Sequence, residues 1–346
     1  MDYQKPTLYR TVTGILFIAL FLTGLTPWAA AQSSRVKLAT LVPRGTSYHQ
    51  ALQFMAEKWR QAPGGGVRVT IYTDGTMGGE ADMVRRMRIG QLQAGMLTVV
   101  GLSEIDPSVT ALQNMPLMFR SLDEVDYIRE KLRSRIEKTF YDKGFVVLFW
   151  GDAGWVHFFS KTPVLFPDDL KKLKLFTWAG DNRQLELMKS AGYQAVPLET
   201  NDILPGLQTG LIEALPTTPF IALASQFYSS APYMLDLEWA PLVGGTVITR
   251  KFWDTLAPAT QEALREAAAE TGRAIKARGR QEMEESIATM KQRGLTVTAV
   301  TPEAEATWRT LAEDVYPKIR GTIVPADMFD EVRQLLADYR QKNQAN

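Results

Sequence analysis

Hydrophobic positions recur along the chain with two different periods, and the two periods alternate. Val36–Leu41 has the two-residue period of a strand, and Ser47–Gln61 has the helical period, with its apolar side chains on one face. The alternation continues through a predicted strand at 67–72, a helix at 80–89 and a strand at 96–100. Strands that alternate with helices in this way predict an α/β fold with a mainly parallel sheet.

The same pattern restarts after Gly144 and predicts a second α/β unit. Its predicted elements are strands at 145–150, 155–160 and 174–178, a helix at 182–191, a strand at 194–197, a helix at 203–209, and strands at 211–215 and 246–249. A charged, alanine-rich stretch from Pro258 to Arg293 then predicts one helix, interrupted only by Gly272 and Gly279. At 1.5 Å per residue this helix would be about 50 Å long, more than the width of one small domain. We therefore expect two lobes tied by a long helix, with a hinged cleft between them.

The composition excludes several classes of function. The chain has 346 residues, 39 Lys+Arg against 38 Asp+Glu, no cysteine and two histidines. Its length suggests two domains, and its net charge of +1 gives no basic excess for nucleic acid. Without cysteine there are no disulfides, thiol nucleophiles or thiolate metal sites, and two histidines disfavour a His-rich metal centre. Eight Trp, fifteen Phe and eleven Tyr form an aromatic surplus.

The N-terminus has the pattern of an export signal. A short basic region precedes an uncharged run, residues 11–31, that ends in Ala29–Ala31. This predicts a signal peptide over residues 1–31 with cleavage after Ala31, so that the mature protein is periplasmic and electrically neutral. An uncleaved anchor is the alternative, because 21 uncharged residues just span a bilayer. Pro27 and the alanines favour cleavage, and the absence of cysteine excludes lipidation.

No catalytic set is visible. The chain lacks the GxGxxG, GxxxxGK[ST] and GxSxG patterns. His49 is predicted on the first helix and His157 in a strand between Val156 and Phe158, where a solvated and a core histidine respectively are the simpler interpretations. Without a base, a nucleophile and an orienting group, we predict that the protein is not an enzyme and uses no cofactor.

Several segments, taken in order, resemble the DctP-like substrate-binding proteins of tripartite ATP-independent periplasmic (TRAP) transporters. The segments that carry the resemblance are Ile71–Glu80, Arg88–Gly90, Asn114–Phe119, Phe166–Leu175, Ala195–Leu198 and Gly206–Glu213. They span essentially the whole mature chain. Trp178–Asp181 also looks like a TRAP subgroup that is associated with tetratricopeptide-repeat partners and is thought to handle hydrophobic ligands.

The resemblance implies a fold and a set of partners. The fold is α/β, a two-lobed periplasmic binding protein fold with crossing hinge strands and a long bracing helix. We expect lobe I to contain 35–155 with 246–285, and lobe II to contain 156–245 with 286–346. A small-molecule ligand would lie between the lobes and be delivered to integral-membrane TRAP subunits, with a periplasmic tetratricopeptide-repeat protein as a further partner.

The chain departs from the family pattern where a ligand would bind. Most members hold an organic anion through an arginine in the strand after the Leu-Lys-x-Leu-Lys motif, and here Phe176 occupies that position. Val156 matches a second arginine, Thr217 matches the usual asparagine, and Thr200 matches a phenylalanine. A carboxylate without a counter-charge retains a desolvation cost of roughly several kcal/mol. We therefore predict a hydrophobic or amphipathic ligand in place of an organic acid.

The expected site combines aromatic rings with a few polar groups. The predicted ligand-binding residues are Pro43, Thr98, Trp155, Val156, Phe158, Phe176, Trp178, Asp181, Thr200, Thr217, Thr218, Phe220 and Trp239. Thr217, Thr218 and Asp181 are expected to hold a polar end of the ligand. Two alternatives remain at this point: a ligand-binding interaction protein that serves a periplasmic sensor or carrier, and an organic-acid binder that uses a different cation. Arg183 is a candidate cation, but its place at a predicted helix start favours the surface.

Overall fold

The structure is a computed structural model that describes residues 1–3 and 34–344. The predicted signal segment and its cleavage site therefore lie outside the described residues, apart from the first three positions. Within the described part, no helix is both long enough and apolar enough to cross a membrane.

Strands and helices alternate along the described chain much as the hydrophobic pattern predicts. The nine strands are β1 (Ser34–Thr40), β2 (Val67–Tyr72), β3 (Ala94–Thr98), β4 (Phe145–Ser160), β5 (Lys174–Trp178), β6 (Gln194–Leu198), β7 (Ala214–Thr217), β8 (Tyr233–Thr249) and β9 (Thr296–Ala299). The twelve α-helices are α1 (Ser47–Arg60), α2 (Glu80–Arg88), α3 (Val99–Ser103), α4 (Leu122–Asp142), α5 (Pro167–Lys171), α6 (Asn182–Ser190), α7 (Thr200–Thr209), α8 (Pro219–Ala224), α9 (Arg250–Trp253), α10 (Pro258–Gln292), α11 (Pro302–Ile319) and α12 (Ala326–Gln344).

The strands form one mixed sheet, in the order β2-β1-β3-β8-β4-β7-β5-β6, with β9 beside β8. β1 is parallel to β2 and β3, and β5 is parallel to β6 and β7. β8 is antiparallel to β3 and β4, and β4 is antiparallel to β7. The expectation of a mainly parallel sheet is thus wrong for its centre, because two long strands cross there in opposite directions.

The central pair, β4 and β8, connects the two lobes. The segments 145–150 and 155–160, predicted as separate strands, are one continuous strand that pairs with β8 from Phe145↔Thr249 to Ser160↔Tyr233. Its register shifts between Asp152 and Trp155, and register shifts of this kind bend a strand and increase its twist. The predicted crossing hinge strands are therefore present, with the irregularity between the lobes.

Helix α10 braces both lobes, as predicted. It packs on β4, on α1 of lobe I and on α8 of lobe II. A Cβ atom at Gly272 would lie 2.8 Å from the Cβ of Phe149, so only glycine permits the helix to pass this close to β4. The glycine that interrupts the helical pattern is therefore a packing requirement and not a break in the helix.

The C-terminal helix packs on lobe I, which corrects the predicted assignment of 286–346 to lobe II. Phe329 and Val332 of α12 belong to the same buried cluster as Ile128 and Leu132 of α4. The preceding helix, α11, does pack on lobe II, where Trp308 joins the cluster of Phe158 and Leu170. The division falls within α11, because Ile319 at its end joins the same buried cluster as α12.

Candidate functional site

A cleft of about 350 Å³ lies between the two lobes, where strands of both lobes end. Small-molecule sites commonly measure ~300–1,000 Å³, and in α/β sheets they lie beyond the carboxyl ends of the strands. Lobe I contributes the loop after β1 (Leu41–Pro43) and the end of β3, and lobe II contributes the ends of β5 and β7. The topology therefore brings segments from distant parts of the sequence to one cavity.

The cleft collects most of the residues that the sequence predicted. Those that line it are Pro43, Thr98, Val156, Phe158, Phe176, Trp178, Asp181, Thr200, Thr217, Phe220 and Trp239. They come from seven segments of sequence, and the crossing strand β4 alone supplies Val156 and Phe158.

Trp155 and Thr218 do not line the cleft, and these two expectations are corrected. Trp155 is buried in the core of lobe I, because neighbouring residues of a strand point to opposite faces and Val156 takes the cleft side. Thr218 is completely buried, and its hydroxyl accepts a hydrogen bond of 3.4 Å from the Ile221 amide. This bond caps α8, so the Thr218 hydroxyl serves the helix start.

Phe176 lies in the cleft wall at the position matched to the family arginine. It is 2% exposed, and its ring meets that of Trp178 edge-on, with centroids 4.9 Å apart and planes at 80°. On its other sides it packs with Ile203 and Leu215. The ring is thus part of both the cleft wall and the lobe II core.

The described residues that line the cleft include no lysine and no arginine. Their carboxyl groups are those of Glu80, Asp152 and Asp181. Glu80 is fully enclosed and accepts hydrogen bonds from the Thr98 amide at 2.7 Å, the Thr98 hydroxyl at 2.6 Å and the Gly101 amide at 2.8 Å. Burial raises its pKa, and these three hydrogen bonds partly oppose the rise. Its oxygens are therefore engaged by the start of α3.

Asp152 belongs to a charge cluster at the back of the cleft. Its carboxylate lies 3.5 Å from the Arg280 guanidinium and 3.8 Å from that of Arg129. Both arginines also pair with Asp126, at 2.7 Å and 2.5 Å respectively. Burial raises the pKa of Asp152, and the two arginines oppose this. The two arginines beside Asp152 are therefore paired with protein carboxylates.

Asp181 lies at the start of α6, where its carboxylate accepts a hydrogen bond of 3.1 Å from the Gln184 amide. Burial raises the pKa of this carboxyl, and the Gln184 amide and Arg183 oppose the rise. Asp181 thus brings to the cleft a carboxyl group whose charged form is disfavoured by burial.

The remaining candidate groups, Arg183, His157 and His49, do not line the cleft. Arg183 is exposed and donates to the Thr322 carbonyl at 3.3 Å. His157 is buried, its Nδ1 lies 3.2 Å from the Leu235 carbonyl, and burial lowers its pKa. His49 accepts a hydrogen bond from the Gly45 amide at the start of α1. Among the described residues, no group of His, Asp and Glu side chains is arranged to hold a metal ion.

Sequence reasoning missed one wall of the cleft, which is formed by α11. Its residues Trp308, Leu311, Val315 and Ile319 all line the cavity. Their spacing of three and four residues is the apolar stripe of an amphipathic helix. This stripe was visible in the sequence, but nothing local indicates that it faces a cavity and not a closed core.

Comparisons with known proteins agree with the fold and the cleft. The sequence profile described as "Bacterial extracellular solute-binding protein, family 7" (DctP) matches residues 38–321. The chain is 26% identical over 292 residues to the 2,3-diketo-L-gulonate-binding periplasmic protein YiaO of Escherichia coli K12, which covers 83% of this chain and 87% of that protein.

Solved structures of TRAP periplasmic solute-binding proteins superpose on most of the chain. One from Ralstonia eutropha H16, with bound (S)-2-acetolactate, has a TM-score of 0.81 at 19% identity and covers 88% of this chain and 99% of its own. One from Shewanella oneidensis, with bound succinate, has a TM-score of 0.80 at 17% identity and covers 88% and 99%. At these identities the structures establish a common fold.

Proposed function

Because the chain belongs to bacterial extracellular solute-binding protein family 7, the DctP family of TRAP transporters, we propose that its cleft captures a hydrophobic or amphipathic molecule without an anionic group. The protein is a solute-binding protein and not an enzyme. In this proposal the lobes close on the ligand, and the loaded protein delivers it to the integral-membrane subunits of a TRAP transporter.

One observation carries the proposal: among the described residues, the cleft has a phenyl ring at the expected arginine position and no cation elsewhere in its lining. A bound carboxylate would lose its hydration without gaining a charged partner, which costs roughly several kcal/mol. The lining carboxyl groups of Glu80, Asp152 and Asp181 offer such an anion no opposite charge. An apolar ligand gains ~25 cal/mol for each Å² that it buries against the aromatic wall.

Proteins similar to this chain bind organic acids. The names of the compared proteins give 2,3-diketo-L-gulonate, succinate and acetolactate as their ligands. An organic-acid binder that uses a different cation is thus the second candidate for this chain. Arg129 and Arg280 lie beside Asp152 of the cleft lining, but each already pairs with Asp126. We therefore favour the uncharged ligand.

Two further parts of the proposal rest on the sequence. Trp178–Asp181 supports a periplasmic tetratricopeptide-repeat partner. Co-purification from the native host tests this proposal. Capture of a sensor or carrier without transporter subunits would favour the interaction-protein alternative. We also propose cleavage after Ala31, which N-terminal sequencing of the exported protein tests directly. Retention of residues 1–31 in the exported protein would contradict it.

The binding test compares a neutral apolar dye, Nile red, with succinate and glucuronate, using protein freed of co-purified lipid. We expect the dye to bind and the two acids not to bind, with an apolar molecule found by native mass spectrometry of the untreated protein. Phe176→Arg should weaken dye binding about ten-fold or more, because a buried cation replaces apolar wall.

The matched control is Phe54→Arg, which places the same substitution on the exposed surface of α1. Thermal unfolding of both variants establishes that they fold. If Phe176→Arg does not, Trp178→Arg at the half-buried rim takes its place. Tighter binding of succinate than of the dye by the unaltered protein would overturn the proposal.

A further inference from the structure

The cleft continues around the end of the lobe II sheet and has two arms. Phe176 and Leu175 are neighbours on β5, so their side chains point to opposite faces of the sheet, yet both line the cavity. On the Phe176 side, the wall includes Ile203 and Phe227, which pack in one cluster with Phe176. On the Leu175 side it includes Met188, Tyr193, Trp239, Trp308 and Leu311, which pack in one cluster with Leu175. We name these the Phe176 arm and the Trp308 arm.

The Trp308 arm has a base of three aromatic rings. Phe158 stacks on Trp308 with centroids 5.3 Å apart, and Trp239 meets Trp308 nearly edge-on at 5.6 Å. The indole Nε1 of Trp308 donates to the Leu165 carbonyl at 2.8 Å, so the one polar atom of this ring already has a partner. The Trp308 indole therefore presents apolar surface to the arm, and its N–H is not available to a ligand.

Helix α6 covers the Trp308 arm without filling it. No residue of α6 is fully buried. Its apolar side chains Leu187 and Met188 are half-buried and line the cavity. An amphipathic helix normally buries its apolar face in a closed core. Here that face lies over an open arm that continues from the interlobe cleft.

A polar group without a partner lies in the wall of the cavity. The hydroxyl oxygen of Thr200 is buried and has no hydrogen-bond partner among the described residues, and Thr200 lines the cavity. A buried hydroxyl without a partner loses its hydration and gains nothing in return, so a ligand that supplies a hydrogen bond there is favoured. The described cavity lining holds no lysine or arginine for an anionic partner.

We propose that the ligand is a long-chain, uncharged amphiphile whose hydroxyl-type end meets Thr200 and whose aliphatic chain extends past the strand ends into the Trp308 arm. This inference rests on the proposed function and adds the shape and the chemical class of the ligand. Because most side chains of the arm are apolar, each further methylene strengthens binding until the arm is full.

The test is a series of 1-alkanols, from hexanol to tetradecanol, that displaces Nile red from the delipidated protein. Affinity should rise about four-fold for each added methylene and then level off. Leu311→Trp narrows the Trp308 arm and should shift this plateau to shorter chains, while the affinity for hexanol stays unchanged. Thr310→Trp, on the exposed side of the same helix, is the matched control and should leave the series unaltered.

A second variant tests the polar end. Thr200→Val keeps the shape and removes the hydroxyl, so alkanol affinity should fall about ten-fold while the affinity for the alkane of equal length does not fall. If Leu311→Trp does not fold, Met188→Trp narrows the same arm.

The outcomes separate this inference from the proposed function. If hexanol and the dye bind but longer chains gain nothing, the Trp308 arm is not part of the site and the inference fails, whereas the proposed function stands. If no alkanol and no dye bind while succinate does, the proposed function itself fails. Equal plateaus in the unaltered protein and in a folded Leu311→Trp variant would also overturn the inference.

Discussion

The Tyr48 hydroxyl donates a hydrogen bond of 2.7 Å to the backbone carbonyl of Asp152, which joins α1 to the hinge strand β4 at the point where its register shifts. The same ring contacts Phe220 of lobe II, with centroids 4.9 Å apart. Burial raises the pKa of Tyr48, so the phenol keeps the proton that it donates. One side chain thus links lobe I, the hinge strand and lobe II at the cleft wall.

Gly279→Ala is expected to destabilise the protein by about 1–3 kcal/mol, because the new methyl group would overlap the Tyr48 hydroxyl. Denaturant unfolding measures the change. In a Tyr48→Phe background the penalty should shrink, because the nearest remaining ring atom, Cζ, lies 3.2 Å from the added Cβ. Equal penalties in both backgrounds would show that the two residues are not coupled.

Glu80→Gln is expected to lower the free energy of unfolding by about 1–3 kcal/mol. Both carboxylate oxygens of Glu80 accept hydrogen bonds from backbone amides, and the glutamine NH₂ group cannot accept one. The variant also loosens the start of α3, which forms part of the cleft. Asp82→Asn on the exposed side of the same helix is the control, and its unfolding curve should scarcely move. An unchanged unfolding midpoint for Glu80→Gln would contradict the prediction.

Arg340→Met is expected to destabilise the protein by about 3 kcal/mol, because it leaves the buried Glu124 without the cation that joins α12 to α4. Arg320→Met is the matched control, since Arg320 pairs with Asp330 on the open surface. Chemical unfolding should distinguish the two clearly. Similar curves for both would indicate that α12 contributes little to lobe I.

Asp181→Asn and Asp169→Asn are expected to have opposite effects on stability near neutral pH. Burial raises the pKa of Asp181, so its ionisation destabilises the folded protein as the pH rises through that pKa. Asn has no charge and also caps a helix start, so Asp181→Asn should raise stability at neutral pH. The backbone amide of Phe166 is the main cause that lowers the pKa of Asp169, so its ionised form stabilises the fold until the pH falls through that pKa.

The Asp169→Asn variant should therefore lose stability at neutral pH, and in strong acid both variants should approach the unaltered protein. Melting temperatures from pH 2 to pH 8 check the two signs. A shift in the same direction for both variants at neutral pH would contradict the argument.

Local periodicity predicted most elements to within a few residues. The long helix was expected at 258–293 and is Pro258–Gln292, and β2 was predicted with its observed ends. Helix and strand periods depend on neighbouring residues, so they can be read without the fold. The continuity of β4 could not be read in this way, because Gly151 and Gly154 look like a turn until β8 is seen to pair across them.

Part of the candidate site could be predicted from the sequence. Motif order placed Phe176, Val156, Thr200 and Thr217 at ligand positions, and all of them line the cleft. Trp155 and Val156 are neighbours on β4, so only one of them can face the cleft. Which of the two does so depends on tertiary packing, and the prediction for Trp155 was therefore wrong. The α11 wall was missed because a buried apolar stripe has the same sequence pattern whether it faces a core or a cavity.

The sequence by itself determined the alternation of helices and strands and the absence of thiols, and it predicted a phenylalanine, Phe176, where most family members have a ligand-binding arginine. Only the tertiary structure decided that α12 covers lobe I, that the cations near the cleft pair with Asp126, and that both faces of β5 open into one cavity. Periodicity and composition are local properties of the chain. Burial and charge pairing arise between segments that are far apart in sequence, so they are decided when the chain folds.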